Sequence, residues 1–201
     1  MCAIPRCWPL WSNNPPDLIV VPMSPLEPPD CHFLDAATGW LMLGNLAESR
    51  AEFQQLQPSL SEHPLVLDFE WRLLAQEERW LEAAAAGERL LRVNPDDENA
   101  WVHRSYALHE LRRTREAYDQ LLPAAGRFPK EMIIPYNLAC YTCQLGDLAA
   151  ARRWLNRTLA LSEDAQEKLH RLESALDDPD LQPLWPELKA RVATLRSKTD
   201  S

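Results

Sequence analysis

Two cysteines and two histidines in the middle of the chain are the residues best suited to metal or redox chemistry. Cys140 and Cys143 form a C-x-x-C pair, and His103 and His109 precede them in the chain. Thiolate sulfur and imidazole nitrogen are preferred zinc ligands, so one interpretation is a small metal-binding or redox protein that uses Cys140 and Cys143 with His109. Buried cysteine, however, often behaves as a small hydrophobic residue. We keep this interpretation as the alternative and predict no bound metal.

A group of three aspartates near the C-terminus is the other candidate for chemistry. Asp177, Asp178 and Asp180 surround Pro179. Neighbouring carboxylates can bind a cation or act as an acid pair, but beside proline they are more typical of a helix end and of a cap for the next helix. The sequence contains no phosphate-loop, serine-hydrolase or zinc-protease motif. We therefore predict a non-enzymatic protein with no catalytic residue and no cofactor.

Composition and charge narrow the class of partner. The chain has 201 residues, 46% of them hydrophobic, which is enough to build a sizeable core. Its 30 acidic residues outnumber the 21 basic ones, giving a formal net charge of -9. Such a charge repels nucleic acid and anionic membrane surfaces, so we predict neither as a partner. The five cysteines give no disulfide framework, and we expect a cytoplasmic protein.

The first 29 residues differ from the rest of the chain. They contain eight of the 17 prolines. Proline lacks a backbone donor and fixes φ, so this arm is predicted to be extended or disordered rather than part of the core.

From residue 30 the pattern changes to apolar residues three and four positions apart, which indicates amphipathic helices. Units of 34 residues fit without insertion, over residues 30–63, 64–97, 98–131 and 132–165. The twentieth place of each unit carries a small residue, as expected where two helices of a hairpin touch. These small residues are Ser49, Ala83, Ala117 and Ala151.

Turn residues lie where these units predict turns. Gly44 and Gly146 fall between the two helices of the first and last units, where a left-handed backbone is needed. Pro95 closes the second unit, and Asp96 and Asp97 follow it as candidate caps for the next helix. The positions of these turn and cap residues therefore favour four helical hairpins.

This pattern resembles the tetratricopeptide repeat, a 34-residue unit with an early aromatic residue, a small residue in its second helix and a closing proline. The resemblance is closest in the third unit, through Trp101, Ala117 and Pro129, and in YNLACYTCQLGDLAAARRWLNRTLAL of the fourth. The first two units depart from it at Trp71, and at Gly87, where a large apolar residue is usual.

The resemblance implies an all-α fold, namely a right-handed superhelical solenoid of antiparallel helix pairs over residues 30–165. Residues 166–196 are predicted to form capping helices that cover the last hairpin, because a repeat stack has an apolar face at its end. Residues 197–201 are expected to be a tail.

The resemblance also implies a function. In tetratricopeptide proteins the first helices line a concave groove, and the predicted binding residues follow from the matching places in each unit. They are Asp68, Arg72, Asn99, His103, Tyr106, His109, Tyr136, Asn137 and Cys140. We therefore predict a protein–protein interaction module, such as an adaptor, assembly factor or chaperone-like scaffold, that holds a peptide or helix of another protein. For each of these residues the alternative is a structural role, namely packing between neighbouring helices.

Overall fold

The computed structural model describes residues 25–199, with side chains through residue 197. The predicted N-terminal arm therefore lies outside the described residues over positions 1–24. Within the described part the chain is all-α, with eleven helices, two short 3-10 segments and no strand. The helices are α1 (Asp30–Met42), α2 (Leu46–Phe53), α3 (Pro64–Gln76), α4 (Trp80–Val93), α5 (Glu98–Glu110), α6 (Thr114–Leu121), α7 (Ala124–Arg127), α8 (Ile133–Gln144), α9 (Leu148–Ala160), α10 (Ala165–Leu176) and α11 (Trp185–Thr199).

The described residues divide into two compact units, one ending at Ala107 and the other beginning at Leu108, so that α5 contributes to both. The all-α prediction is confirmed. No helix in residues 25–199 has both the length and the apolar composition that a membrane crossing requires.

The N-terminal unit contains the hairpins α1/α2 and α3/α4 and the first part of α5. Helices α1, α3 and α5 begin 34 residues apart. The two small residues predicted at helix contacts, Ser49 and Ala83, are both fully buried. The Ser49 hydroxyl donates to the Ala37 carbonyl at 2.8 Å, which joins α2 to α1.

Gly87 explains one departure from the repeat pattern. A Cβ atom at this position would lie 2.9 Å from both the backbone N and the Cα of Arg104. Helices α4 and α5 therefore approach too closely for any side chain, and the large apolar residue usual at this place has no room.

The C-terminal unit contains α6 and α7, the hairpin α8/α9, and the pair α10/α11. Ala117 and Ala151 are fully buried, like the small residues of the other unit. Helix α10 ends at Leu176, and a 3-10 segment, Pro179–Leu184, leads into α11. Helices α10 and α11 pack together, and Leu172 of α10 and Leu188 of α11 are both buried.

The turns that follow α1, α3, α5 and α8 share one backbone feature. Gly44 and Gly146 have φ of 73° and 81°, which confirms the predicted left-handed turns. The same place in the second and third 34-residue repeats is occupied by Glu78, at φ 57°, and by Arg112, at φ 63°. The turn geometry is therefore kept even where no glycine permits it without strain.

Candidate functional site

The nine predicted groove residues fall into two classes of exposure. Three of them are half-buried, namely Asp68, Arg72 and Asn99. Six are buried, namely His103, Tyr106, His109, Tyr136, Asn137 and Cys140. The five from Asp68 to Tyr106 belong to the N-terminal unit and the other four to the C-terminal unit.

In the N-terminal unit His103 forms the centre of the site. Its Nε2 lies 2.8 Å from Asp68 Oδ1, and the ring is only 1% exposed. The imidazole stacks on Trp71 with a centroid distance of 3.8 Å and an interplanar angle of 4°. Trp71 departs from the repeat pattern, and this stack is what its large ring provides. The pair forms a buried aromatic stack, and Asp68 is hydrogen-bonded at its edge.

Arg72 lies one helical turn after Asp68 on α3, with its Nη1 3.9 Å from Asp68 Oδ2. Their side chains are 35% and 33% exposed, so both reach solvent. Burial raises the pKa of Asp68, but the hydrogen bond from His103 and the charges of His103 and Arg72 outweigh burial and hold that pKa below its ordinary value. Asp68 is therefore a carboxylate with fixed partners.

Asn99 lies in the first turn of α5, and its position depends on Asp97. The Asp97 carboxylate accepts a hydrogen bond from the Asn99 backbone N–H at 2.9 Å, which confirms the predicted cap. Burial, together with repulsion from Asp68, raises the pKa of Asp97. The Asn99 side-chain Nδ2 also donates to the same Asp97 oxygen at 3.2 Å, so Asn99 presents a half-buried amide held by Asp97.

Tyr106 lies deeper in the same unit. It makes edge contacts with Trp71 and Trp80, at centroid distances of 6.4 and 5.8 Å. With 1% exposure, its ring is part of the core of this unit.

In the C-terminal unit two predicted residues face Asp178. The Tyr136 hydroxyl donates to Asp178 Oδ2 at 2.7 Å, and the Cys140 thiol donates to the same oxygen at 3.5 Å. Asp178 is 1% exposed. A buried carboxylate needs such donors, because an uncompensated buried charge is costly.

His109 in the same unit lies against Asp180. Its Nε2 is 3.0 Å from Asp180 Oδ2, and its Nδ1 is 3.0 Å from the Thr114 hydroxyl. The ring also contacts Tyr141 at a centroid distance of 4.9 Å. Both ring nitrogens of His109 therefore face polar atoms of the chain itself.

The arrangement does not favour the metal or redox alternative. Cys143 is buried, and burial together with the charges of Asp180 and Asp178 raises its pKa to about 11. A thiol with a raised pKa is a poor nucleophile and a poor metal ligand. Among the described residues no three His, Cys, Asp or Glu side chains have the geometry of a metal site.

Sequence reasoning missed the second role of the aspartates. Asp178 does cap the following segment, as predicted, by accepting from the Asp180 N–H at 2.9 Å. The sequence does not indicate that Asp178 and Asp180 also contact α8 and His109. The one available signal is that Tyr136, Cys140 and Gln144 lie four residues apart and share one face of α8.

The comparisons with known proteins identify the fold. No protein-family model and no curated protein matches the chain. The structure is similar to the crystal structure of TTC0263, a thermophilic TPR protein in Thermus thermophilus, with a TM-score of 0.59 and 18% sequence identity. The match covers 83% of this chain and 98% of that chain. Together with the repeated helix pairs, this likeness confirms the predicted architecture: the chain has the tetratricopeptide-repeat fold.

Proposed function

We propose that the protein is a non-catalytic protein-interaction module that binds a peptide or helical segment of another protein on the first helices of its N-terminal unit. One observation carries this proposal. Asp68, Arg72 and Asn99 reach solvent from α3 and α5, above the buried stack of Trp71 and His103 that holds Asp68 in place.

Binding surfaces of this kind gain affinity from preorganisation. Because Asp68 is held by His103, whose ring stacks on Trp71, little side-chain entropy is lost when a partner contacts the Asp68 carboxylate. Arginine is enriched at binding hot spots, and Arg72 supplies donors for carboxylate or carbonyl oxygens. The Asn99 amide can fix the register of an extended segment.

The buried residues of the predicted groove take a supporting role in this proposal. His103 and Tyr106 are buried inside the N-terminal unit, where His103 holds Asp68 and Tyr106 packs against Trp71. His109, Tyr136, Asn137 and Cys140 shape the corresponding first-helix face of the C-terminal unit. Truncating a buried aromatic residue costs several kcal/mol of folding stability, on the order of 3–5. Partner binding is therefore better tested at the half-buried positions.

The class of partner follows from charge. With a net charge of -9, a protein surface is favoured over nucleic acid or an anionic membrane. We infer an adaptor, assembly factor or chaperone-like scaffold that acts in the cytoplasm.

A two-stage experiment tests the proposal. Proteins that co-purify with the wild-type chain from its host are identified by mass spectrometry, and the most enriched one is purified and titrated. Arg72→Ala with Asn99→Ala should weaken binding by about tenfold or more, since a hot-spot truncation costs roughly 2 kcal/mol. Arg92→Ala, an exposed substitution on α4, is the matched control. Equal affinity of the double variant and the control would refute the assigned surface.

A further inference from the structure

The first-helix face of the C-terminal unit is already covered by the chain itself. The covering element is the turn of residues 178–184, which contains the 3-10 segment Pro179–Leu184. It packs on α8, where it makes polar contacts with Tyr136, Cys140 and Gln144, which form a stripe along one face of that helix. In α3 of the other unit the equivalent stripe, which includes Asp68 and Arg72, is half-exposed.

The contacts of this turn combine carboxylate recognition with apolar anchoring. Asp178 Oδ2 accepts from Tyr136 and Cys140, and Asp180 Oδ2 lies 3.0 Å from His109 Nε2. Gln144 Nε2 donates to the Asp180 carbonyl at 3.0 Å. Two leucines of the turn are buried, namely Leu181 at 0% and Leu184 at 1% exposure. Apolar anchors with polar groups that fix the register are the features of a docked peptide.

We propose that residues 178–184 act as an intramolecular ligand of the C-terminal unit. The face formed by His109, Tyr136, Cys140 and Gln144 is then a receptor for a short turn with two carboxylates two residues apart, followed by a leucine. The chain's own turn occupies this receptor in cis and keeps partner segments out. This inference rests on the proposed function, because exclusion matters only if the first helices bind partners.

A ligand in cis must be able to undock while the helices stay folded. Local opening of one segment at lower free energy than global unfolding is common in proteins. Cys140 reports such opening, because it is fully buried and its thiol faces Asp178. Alkylation by a maleimide, assigned to Cys140 by peptide mass spectrometry, measures how often the turn leaves.

The first test uses the full chain with Asp178→Ala and Asp180→Ala. Cys140 should be alkylated at least tenfold faster than in the wild type, with unchanged helical circular dichroism. A synthetic peptide of residues 176–186 should restore protection in trans, whereas the same peptide with both aspartates replaced by alanine should not. Asp177→Ala is the control, since Asp177 is exposed and should leave the rate unchanged. If the wild-type peptide fails to protect Cys140, the receptor assignment is wrong.

A second measurement needs no variant and covers the case in which the double variant loses its helices. In the wild type, Cys140 alkylation should rise at low urea with a smaller urea dependence than global unfolding. If alkylation and helix loss follow the same urea dependence, the turn is an inseparable part of the core and the proposal is overturned. Neither assay contains a partner, so failure of partner binding at Arg72 and Asn99 remains a separate result.

Discussion

Gly87→Ala and Gly39→Ala should change stability in opposite directions, although both replace a helical glycine in the N-terminal unit. In an open helical position alanine is favoured over glycine by about 0.5–1 kcal/mol, because glycine loses more backbone entropy on folding. Gly39 lies in α1, and a Cβ there has nothing within 4 Å. Gly39→Ala should therefore stabilise the protein by roughly this amount.

At Gly87 the same gain is outweighed by steric overlap. The new Cβ would lie 2.9 Å from backbone atoms of Arg104, which cannot rotate away as a flexible side chain would. Forcing one carbon into a tightly packed contact typically costs about 1–3 kcal/mol. The helix-propensity gain offsets only part of this cost, so the expected net effect is a loss of about 0.5–2 kcal/mol.

Urea unfolding followed by circular dichroism measures both effects. The midpoint should rise for Gly39→Ala and fall for Gly87→Ala, each with an unchanged slope. Because both positions are in one unit, the two variants report on the same folded region. If Gly87→Ala were as stabilising as Gly39→Ala, the close approach of α4 and α5 would be refuted.

Three further predictions concern the turns, the acid range and the thiols. Glu78→Gly relieves a left-handed φ of 57° and should stabilise by up to about 1 kcal/mol in urea unfolding, whereas Gly146→Ala, at φ 81°, should destabilise by about 1–2 kcal/mol. The pKa of Asp68 in the folded protein is below its ordinary 3.8, so as the pH falls below that value the unfolded chain binds more protons and the folded protein loses stability. Asp68→Asn should make the melting temperature fall less steeply with decreasing pH. If the pH dependence of the melting temperature is unchanged in this variant, the pairing of Asp68 with His103 is refuted. With its pKa raised to about 11 from an ordinary 9.0, Cys143 should be alkylated at pH 8 about 100-fold more slowly than an unperturbed thiol, and equal rates would contradict its burial.

The fold can be predicted because its signals are local and periodic. Small residues such as Ser49 and Ala117 recur at the places where helices of a hairpin touch, and each is fully buried. Gly44 and Gly146 indicate their turns for a stereochemical reason, the positive φ that glycine adopts without strain. At Glu78 the same turn forms without that signal, because the hairpin on either side of it imposes the geometry.

The site is harder to predict because it depends on contacts distant in sequence. The place of His103 in its unit predicts a groove residue, but its burial results from Trp71, a ring from a different hairpin. Tyr136 and Cys140 are predicted in the same way, and their partner Asp178 comes from the segment between α10 and α11, outside the repeats. A repeat pattern gives the direction of a side chain on its helix and carries no information on what a non-repeating segment places over it.

The first helices α3 and α8 differ in exposure because the residues at equivalent positions along them differ in chemistry. On α3 the stripe carries Asp68 and Arg72, whose charges are stable when they are solvated or paired, so leaving them half-exposed costs little. On α8 it carries Tyr136 and Cys140, whose apolar bodies favour cover and whose hydroxyl and thiol each need an acceptor when covered. Asp178 meets both needs at once. The stripe on α3 is therefore half-exposed, whereas the stripe on α8 is covered by a segment of its own chain.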